Sequence, residues 1–100
     1  MARFDLIATY MLANRKNGAL YTGVSSDLLT RMSQHKAGAG ARFPARYGCT
    51  KLVWFERHAT IGGAVHREKR IKTWPRRWKR DLIETTNRHW HDLSAEIMRG

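Results

Sequence analysis

Two strand-like runs joined by a tight turn limit the fold of this chain more than any other feature of its sequence. Leu6–Ala13 is apolar and rich in residues that favour strands, and Ala19–Val24 is a second run of this kind. The segment between them, Asn14–Gly18, ends in Asn-Gly, a pair that tolerates the left-handed backbone of hairpin turns. The pattern predicts an antiparallel β-hairpin.

A helix and a third strand are predicted after the hairpin. Ser25 and Ser26 are candidate N-caps for a helix over Asp27–Lys36, whose acidic start and basic end suit the helix dipole. Ala37–Gly48 is rich in glycine and is typical of a surface loop. Thr50–Arg57 then has the composition of a strand.

Helices are predicted for the second half of the chain. Thr60 is a candidate cap for one helix, and Pro75 suits the first turn of the next, with Trp78 and Leu82 on its inner side. The tail, His89–Met98, is predicted to form a last short helix. The order β-β-α-β-α-α, with one more helix at the end, indicates an α+β fold in which a three-stranded, mainly antiparallel sheet packs against helices. One hundred residues allow one compact domain, residues 1–100.

The charge balance points to a polyanionic partner. Nineteen Lys and Arg against eight Asp and Glu give a net charge of +11 and a pI near 10.9. Nucleic acid is the first candidate for such a domain. A membrane surface is less suitable, because no long helix combines a basic face with a broad apolar one. No signal peptide or membrane span is apparent, and Cys49 is the only cysteine, so a cytoplasmic protein without an internal disulfide is expected.

One acidic residue lies on the apolar stripe of a predicted helix. Ile61, Ala64, Val65, Glu68 and Ile71 follow the i, i+3, i+4, i+7 spacing of a single inward face, while most neighbouring bases fall elsewhere. Burying an unpaired carboxylate costs roughly several kcal/mol. A bound cation or a functional cleft would compensate for that cost.

The first predicted helix repeats this pattern with other polar residues. Leu28, Arg31, Met32 and His35 share one face, and Arg31 and His35 lie one turn apart. In the structural alternative, Arg31 extends to the surface and His35 caps the helix end. That alternative weakens when three polar residues occupy the inward stripes of two helices.

Each strand of the hairpin contributes one tyrosine, Tyr10 and Tyr21. Aromatic residues favour strands for packing reasons alone, so a core role is the simpler interpretation. The two side chains share a face of the sheet only if the residue numbers of two directly paired positions in the hairpin add up to an odd number. The turn sequence leaves that register open.

These residue types suit hydrolysis of a phosphodiester with one metal ion. Arg is a bidentate donor to phosphate, and a Glu in a site open to water binds a hard cation such as Mg²⁺. A metal neutralises charge on the transferring phosphate, and His or Tyr can take a proton from water. Acyl transfer is disfavoured because no Ser or Cys has a recognisable nucleophile setting. Two-metal hydrolysis normally needs more carboxylates.

A basic stretch supplies candidate contacts to nucleic acid. His66–Arg80 holds eight Lys or Arg and one acid. A solvated helical face would explain it, but the total charge favours binding to a phosphate backbone without sequence choice. Trp74 and Trp78 are assigned to the core. The candidate binding residues are Arg42, Arg46, Lys69, Lys72, Arg76 and Arg77.

Across nearly the whole chain, the order of these residues resembles the GIY-YIG endonuclease family, in particular its small single-domain members. "ATY" stands where the family has Gly-Ile-Tyr and keeps only its tyrosine, and "YTG" stands for Tyr-Ile-Gly. "GVSSDLLTRMSQHK" is similar to the family's Arg and His segment, and "REKRIKTW" to the segment of its metal-binding Glu. "NRHWHDL" resembles the closing Asn-Pro-x-Trp segment, with Arg88 in place of the proline.

The resemblance implies a set of roles for residues of this chain. Glu68 would hold a single Mg²⁺ or Mn²⁺, and Arg31 would bind the scissile phosphate. Tyr10, Tyr21 or His35 would activate or position the water, and Asn87 would help to order the site. The candidate catalytic residues are Tyr10, Tyr21, Arg31, His35, Glu68 and Asn87.

Three functions compete. The leading hypothesis is a metal-dependent DNA endonuclease, nicking or structure-specific and of low sequence specificity, with RNA left open as substrate and a monomer or weak homodimer expected. The second is a basic nucleic-acid-binding module without activity, whose binding falls with salt and is unchanged by Glu68→Ala. The third is an accessory protein of a ribosome or nucleoid, for which the tyrosines and Glu68 would be dispensable.

Overall fold

The computed structural model describes residues 6–37 and 47–99 and confirms the α+β fold class. The elements follow the predicted order, including the additional last helix. They are β1 (Ala8–Ala13), β2 (Leu20–Ser25), α1 (Leu28–Lys36), β3 (Lys51–Arg57), α2 (Ile61–Lys72), α3 (Arg76–Thr86) and α4 (Ser94–Arg99).

The three strands form one antiparallel sheet in the order β2-β1-β3. Within the hairpin, Tyr10 lies opposite Gly23 and Leu12 lies opposite Tyr21, so opposed positions sum to an odd number. Tyr10 and Tyr21 therefore share a face of the sheet, because side chains alternate along a strand.

The central strand β1 is buried along its whole length and separates two clusters of apolar side chains. Tyr10 and Leu12 belong to the cluster that includes residues of α1 and α4. Met11 and Ala13 belong to the cluster that includes residues of α2 and α3. Alternate residues of β1 thus serve two packing layers.

One of the two helix starts differs from its prediction. The N-cap of α1 is Asp27, whose side chain accepts a hydrogen bond from the Thr30 amide at 3.3 Å, so the assignment to Ser25 or Ser26 is wrong. Ser25 ends β2, and its hydroxyl accepts from the Asp27 amide. At α2 the predicted cap is confirmed, because the Thr60 hydroxyl accepts from the Gly63 amide at 3.1 Å.

The α3 helix buries a different face from the predicted one. Pro75 is its N-cap, and Trp78 is 49% exposed, so the placement of Trp78 in the core is wrong. The buried residue of this helix is Ile83, five residues further on, and five residues rotate a helix by about 140°. Leu82 packs against the core as predicted, and so does Trp74, which meets Trp78 edge-on.

The final helix is shorter than predicted because the chain turns sharply before it. Trp90 has a φ of 59°, a left-handed conformation that interrupts a helix, and α4 begins at Ser94. The Trp90 side chain is fully buried in the cluster beside α2 and α3. Among the described residues, no helix is long and apolar enough to cross a membrane.

Asn87 joins the segment after α3 to strand β3. Its amide nitrogen donates to the Val53 carbonyl at 3.0 Å and to the His91 carbonyl at 2.8 Å. Its amide oxygen accepts from the His91 backbone at 3.0 Å. Val53 lies where the pairing between β3 and β1 shifts register, so no β1 residue opposes it. The Asn87 side chain thus uses its hydrogen-bonding groups on backbone.

Asp92 fastens the same segment to β3 and to α1. Its carboxylate accepts from the Leu52 amide at 3.2 Å and from the Lys36 ammonium at 2.7 Å, and the Leu93 amide donates to the Leu52 carbonyl. Burial opposes the charged form of Asp92, but hydrogen bonds from Lys36, Ser94 and Leu52 outweigh burial and lower its pKa. The helix that carries Arg31 is thereby held to the sheet edge.

Replacing Asn87 by alanine should lower the free energy of unfolding by about 2–4 kcal/mol, because the buried Val53 carbonyl and the part-buried His91 carbonyl lose their donor. The matched control is Thr85→Ala in the exposed last turn of α3, which should change it by less than about 0.5 kcal/mol. Urea unfolding of the three proteins measures both values. Equal stabilities for Asn87→Ala and wild type would contradict the structural role given to this amide.

Candidate active site

The first element of the site is a hydrogen bond between the central strand and helix α1. The Tyr10 hydroxyl lies 3.0 Å from Nε2 of His35. Both side chains are buried, at 1% and 3% exposure. His35 reaches the sheet because it shares the inward face of α1 with Leu28 and Met32, as its spacing predicts.

Tyr21 completes a cluster of three rings. Its ring centroid lies 6.3 Å from that of Tyr10 and 6.0 Å from that of His35, while Tyr10 and His35 are 5.9 Å apart. The three rings are mutually tilted, as aromatic rings that pack by their edges usually are. The strand register that sequence could not fix therefore brings both tyrosines to the inward face of α1.

Gly23 leaves the space that the two tyrosine rings occupy. A Cβ atom at this position would lie 2.7 Å from the Tyr10 hydroxyl oxygen and 2.8 Å from Cε2 of Tyr21. Both distances are far inside van der Waals contact. The glycine of "YTG" is thus required by close approach of side chains, and its φ is not in the left-handed region.

Burial and the charges near the ring cluster set the protonation states of the Tyr10 hydroxyl and the His35 imidazole. Burial, and then the neighbouring Tyr21, raise the pKa of Tyr10 far above its ordinary value; Arg31 acts to lower it and Glu68 to raise it. Burial, followed by the Arg31 guanidinium, lowers the pKa of His35. At neutral pH Tyr10 is therefore a protonated phenol and His35 a neutral imidazole. Arg31 and Glu68 both lie near enough to Tyr10 to affect its ionisation.

Glu68 points inward, as its helical phase predicts. The Thr9 hydroxyl donates to the Ala64 carbonyl at 2.7 Å and holds α2 against β1, one turn before Glu68. The Glu68 side chain is 13% exposed, and its carboxylate lies 2.7 Å from the Lys72 ammonium. The cost of burying this carboxylate is therefore offset by a lysine. Ile61, in contrast, is exposed at the start of the helix and leaves the inward stripe.

The donor set around Glu68 suits one hard divalent ion. No cluster of three or more His, Cys, Asp or Glu residues that could hold a metal occurs within residues 6–37 and 47–99. A single carboxylate is enough for Mg²⁺ or Mn²⁺, because these ions keep several waters. The Lys72 ammonium shows that a cation is already favoured at this carboxylate. The residues present therefore fit the group that the resemblance implies.

The remaining predicted residues have separate surroundings. Arg31 is half-buried and in no ion pair among the described residues. Asn87 is bonded to backbone beside β3, and its role at the site stays a prediction. Arg76 donates to the Gly18 carbonyl in the hairpin turn. Roles in nucleic-acid binding stay predictions for this arginine, for the exposed Lys69 and Arg77, for Lys72, and for Arg42 and Arg46, which lie outside the described residues.

The sequence analysis did not predict a surface depression that lies beside the ring cluster. A cavity of about 290 Å³ is lined by Leu20, Tyr21, Thr22, Lys72 and Lys79. Lys79 belongs to the basic stretch, but nothing in the sequence distinguishes it from its seven basic neighbours. Its position is visible only in the fold, where Lys79 of α3 lines a cavity together with residues of β2.

Adding one methyl group at Gly23 should disturb the ring cluster. Gly23→Ala should lower the free energy of unfolding by about 1–3 kcal/mol, the usual cost of overpacking. The control is Gly62→Ala, where the nearest atom to a new Cβ is 4.0 Å away and the helical position favours alanine. Chemical denaturation of both variants tests this difference. A Gly23→Ala protein as stable as Gly62→Ala would show that the rings move aside freely.

The lowered pKa of His35 predicts a pH dependence of stability. Between its folded pKa and the ordinary value of 6.5, the unfolded chain binds a proton that the folded protein does not, so stability should fall as pH decreases below about 6.5. Unfolding free energies measured from pH 7.5 to 5 should show a smaller fall for His35→Gln than for wild type. The exposed control, His66→Gln, should keep the wild-type slope. Identical slopes in all three proteins would refute the assignment of this dependence to His35.

Comparison with known proteins agrees with the geometry of the site. The family model of the GIY-YIG catalytic domain matches residues 6–81. A UPF0213 protein of Pseudomonas aeruginosa is 42% identical over 72 residues, which are 72% of this chain and 69% of that protein. A UPF0213 protein of Aeromonas salmonicida is 36% identical over 77 residues, which are 77% and 56% of the two chains.

A further relative comes from Haloquadratum walsbyi, whose UPF0213 protein is 38% identical over 66 residues, covering 66% of this chain and 74% of its own. No solved structure matches the chain significantly. The family match contains both tyrosines, Arg31, His35 and Glu68, which are the residues of the described site. The chain belongs to the GIY-YIG family.

Proposed function

We propose that this protein is a metal-dependent DNA endonuclease that hydrolyses phosphodiester bonds. The observation that carries the proposal is the hydrogen bond between Tyr10 and His35, which lies within reach of the Arg31 and Glu68 charges. A buried phenol from β1 and a neutral imidazole from α1 are in contact, and a guanidinium from α1 and a carboxylate from α2 lie close enough to affect the ionisation of the phenol. Structural packing alone does not require this set at one place.

Arg31 is the proposed ligand of the scissile phosphate. Its guanidinium lies near Tyr10 and His35 and is in no ion pair within the described part of the chain. A guanidinium offers paired N–H donors that match two phosphate oxygens. In this role it holds the phosphate and stabilises the charge that develops on its oxygens.

Glu68 is the proposed metal ligand. When bound, the divalent ion supplies neutralisation of the phosphate charge and stabilisation of the leaving oxygen. In this role the Lys72 ammonium releases the carboxylate, and the metal ion takes the place of its positive charge. Since Lys72 is half exposed, its side chain has room to move away.

Tyr10 and His35 together suit the removal of a proton from water. Tyr10 is too weak an acid to act as a free phenolate at neutral pH. Its hydroxyl can donate to Nε2 of neutral His35 while its oxygen accepts a hydrogen bond from the attacking water. As the water oxygen bonds to phosphorus, the bond from phosphorus to the leaving oxygen breaks, the water proton passes to the Tyr10 oxygen, and the Tyr10 proton passes to His35. His35 is thus the proposed final acceptor.

DNA is the proposed substrate, and the chain's net charge of +11 supports binding to its backbone without sequence choice. One site acts on one strand, so a nick is the expected product. RNA is an alternative substrate that a parallel assay distinguishes. The names of the relatives state no activity, so the substrate rests on the site and on charge.

Nicking of supercoiled plasmid in Mg²⁺ or Mn²⁺ tests the proposal. Glu68→Gln should slow nicking by at least about 100-fold, because the metal loses its protein ligand, and EDTA should abolish it. The control is Glu96→Gln, an exposed residue of α4, which should nick at the wild-type rate.

Two outcomes would overturn the proposal. Equal nicking by Glu68→Gln and wild type would remove Glu68 from the reaction. Absence of nicking on plasmid, branched DNA and RNA, with all variants still binding nucleic acid equally, would favour the binding module without activity. If the protein cleaved only RNA, the proposed phosphodiester hydrolysis would stand, but DNA would be the wrong substrate.

A further inference from the structure

The cavity beside the ring cluster is built from three elements of the fold. Thr22 comes from β2, Lys72 from α2 and Lys79 from α3, and Leu20 and Tyr21 complete its lining. Its volume, about 290 Å³, exceeds the space that a phosphate group needs. Tyr21 also contacts the Tyr10 and His35 rings, so this residue belongs both to the cavity lining and to the ring cluster.

The charges of the cavity favour an anion. Two ammonium groups line it, and its lining contains no carboxylate. The pKa of Lys79 is lowered by burial first, then by Arg76 and by Lys72, so three cations are close enough to repel one another. A bound anion would relieve this repulsion and restore the hydrogen bonds that partial burial takes from the Lys79 ammonium.

The neighbouring cations have other partners, which distinguishes Lys79. The Arg76 guanidinium donates to the Gly18 carbonyl and so fixes α3 to the hairpin turn. The Lys72 ammonium pairs with Glu68. Lys79 is in no ion pair among the described residues. It is therefore the ammonium of this cavity that remains available to a ligand.

We infer that this cavity is a phosphate subsite, in which Lys79 and the Thr22 hydroxyl bind a backbone phosphate of the same nucleic-acid strand, next to the phosphate that is cleaved. The inference rests on the proposed function and assigns Lys79 and Thr22 to substrate binding. Such a subsite would set the position of the strand along the sheet edge, while Arg31 holds the reacting phosphate. It acts through backbone contacts, so it adds no sequence preference.

The test measures binding without cleavage. A fluorescein-labelled DNA duplex of 20 base pairs is titrated in EDTA, at several salt concentrations, and followed by fluorescence anisotropy. Lys79→Gln should bind about 5- to 10-fold more weakly than wild type and reduce the slope of log K against log salt by about 0.9, one phosphate contact. Lys79→Arg should retain most of the affinity.

The matched control is Arg80→Gln, which removes one positive charge from the next position on α3. Arg80 is exposed, and its guanidinium lies 3.8 Å from the Asp81 carboxylate. It should lose less than about 2-fold in affinity. Thr22→Val is a second variant that keeps the charge, and it should bind about 2- to 5-fold more weakly because one hydroxyl donor is lost. Thermal unfolding of each variant confirms that it is folded.

Each result decides the inference separately from the proposed function. Equal losses for Lys79→Gln and Arg80→Gln would show a general charge effect and overturn the subsite, and so would wild-type binding by Lys79→Gln and Thr22→Val. If wild type nicks DNA but these variants bind normally, the nuclease stands without the subsite. If wild type never nicks and Lys79→Gln still loses one phosphate contact, the subsite stands without the nuclease.

Discussion

The burial of β1 on both faces is the constraint on which the rest of the structure depends. This strand pairs with both other strands, and its alternate residues pack in opposite directions. Tyr10 is a core residue by burial and a site residue by the partner of its hydroxyl. Thr9, on the other face, holds α2 through the Ala64 carbonyl. The two helices that carry the polar residues are thus positioned by neighbouring residues of one strand.

This arrangement links the proposed active site and the stability of the fold more closely than a site built on loops would. Burial of Tyr10 and His35 in the ring cluster keeps the phenol protonated and the imidazole neutral. The same packing makes the cluster intolerant of small changes, as the space around Gly23 shows. Substitutions of the residues that contact the ring cluster would therefore change the stability of the fold together with the properties of the site.

Patterns within one element were predictable from the sequence. Helical phase identified the inward faces of α1 and α2, including His35 and Glu68, and cap chemistry identified Thr60. Position along a single helix or strand fixes such features, so no knowledge of the fold is needed. The resemblance to a family added the order of the residues and their expected roles.

Features that depend on packing between elements were not predictable in this way. Trp78 is exposed because α3 turns its Ile83 face to the core, and Lys79 lines a cavity only because the fold brings α3 near β2. The pairing of Lys72 with Glu68 was within reach of sequence, since the two are four residues apart, but the helical phase alone suggested a lysine facing water. The N-cap of α1 is Asp27 and not the predicted Ser25, because strand β2 extends to Ser25.

The contacts of Asn87 and Asp92 have a consequence for association between copies of the chain. β3 is an edge strand, and an edge with unpaired backbone groups can add a strand from another molecule and begin aggregation. Here the two side chains and the Leu93 amide occupy the outward groups of Leu52 and Val53. The segment that carries Asn87 and Asp92 therefore blocks the β3 edge at Leu52 and Val53, and a chain that lost it would expose these backbone groups to a strand from another molecule.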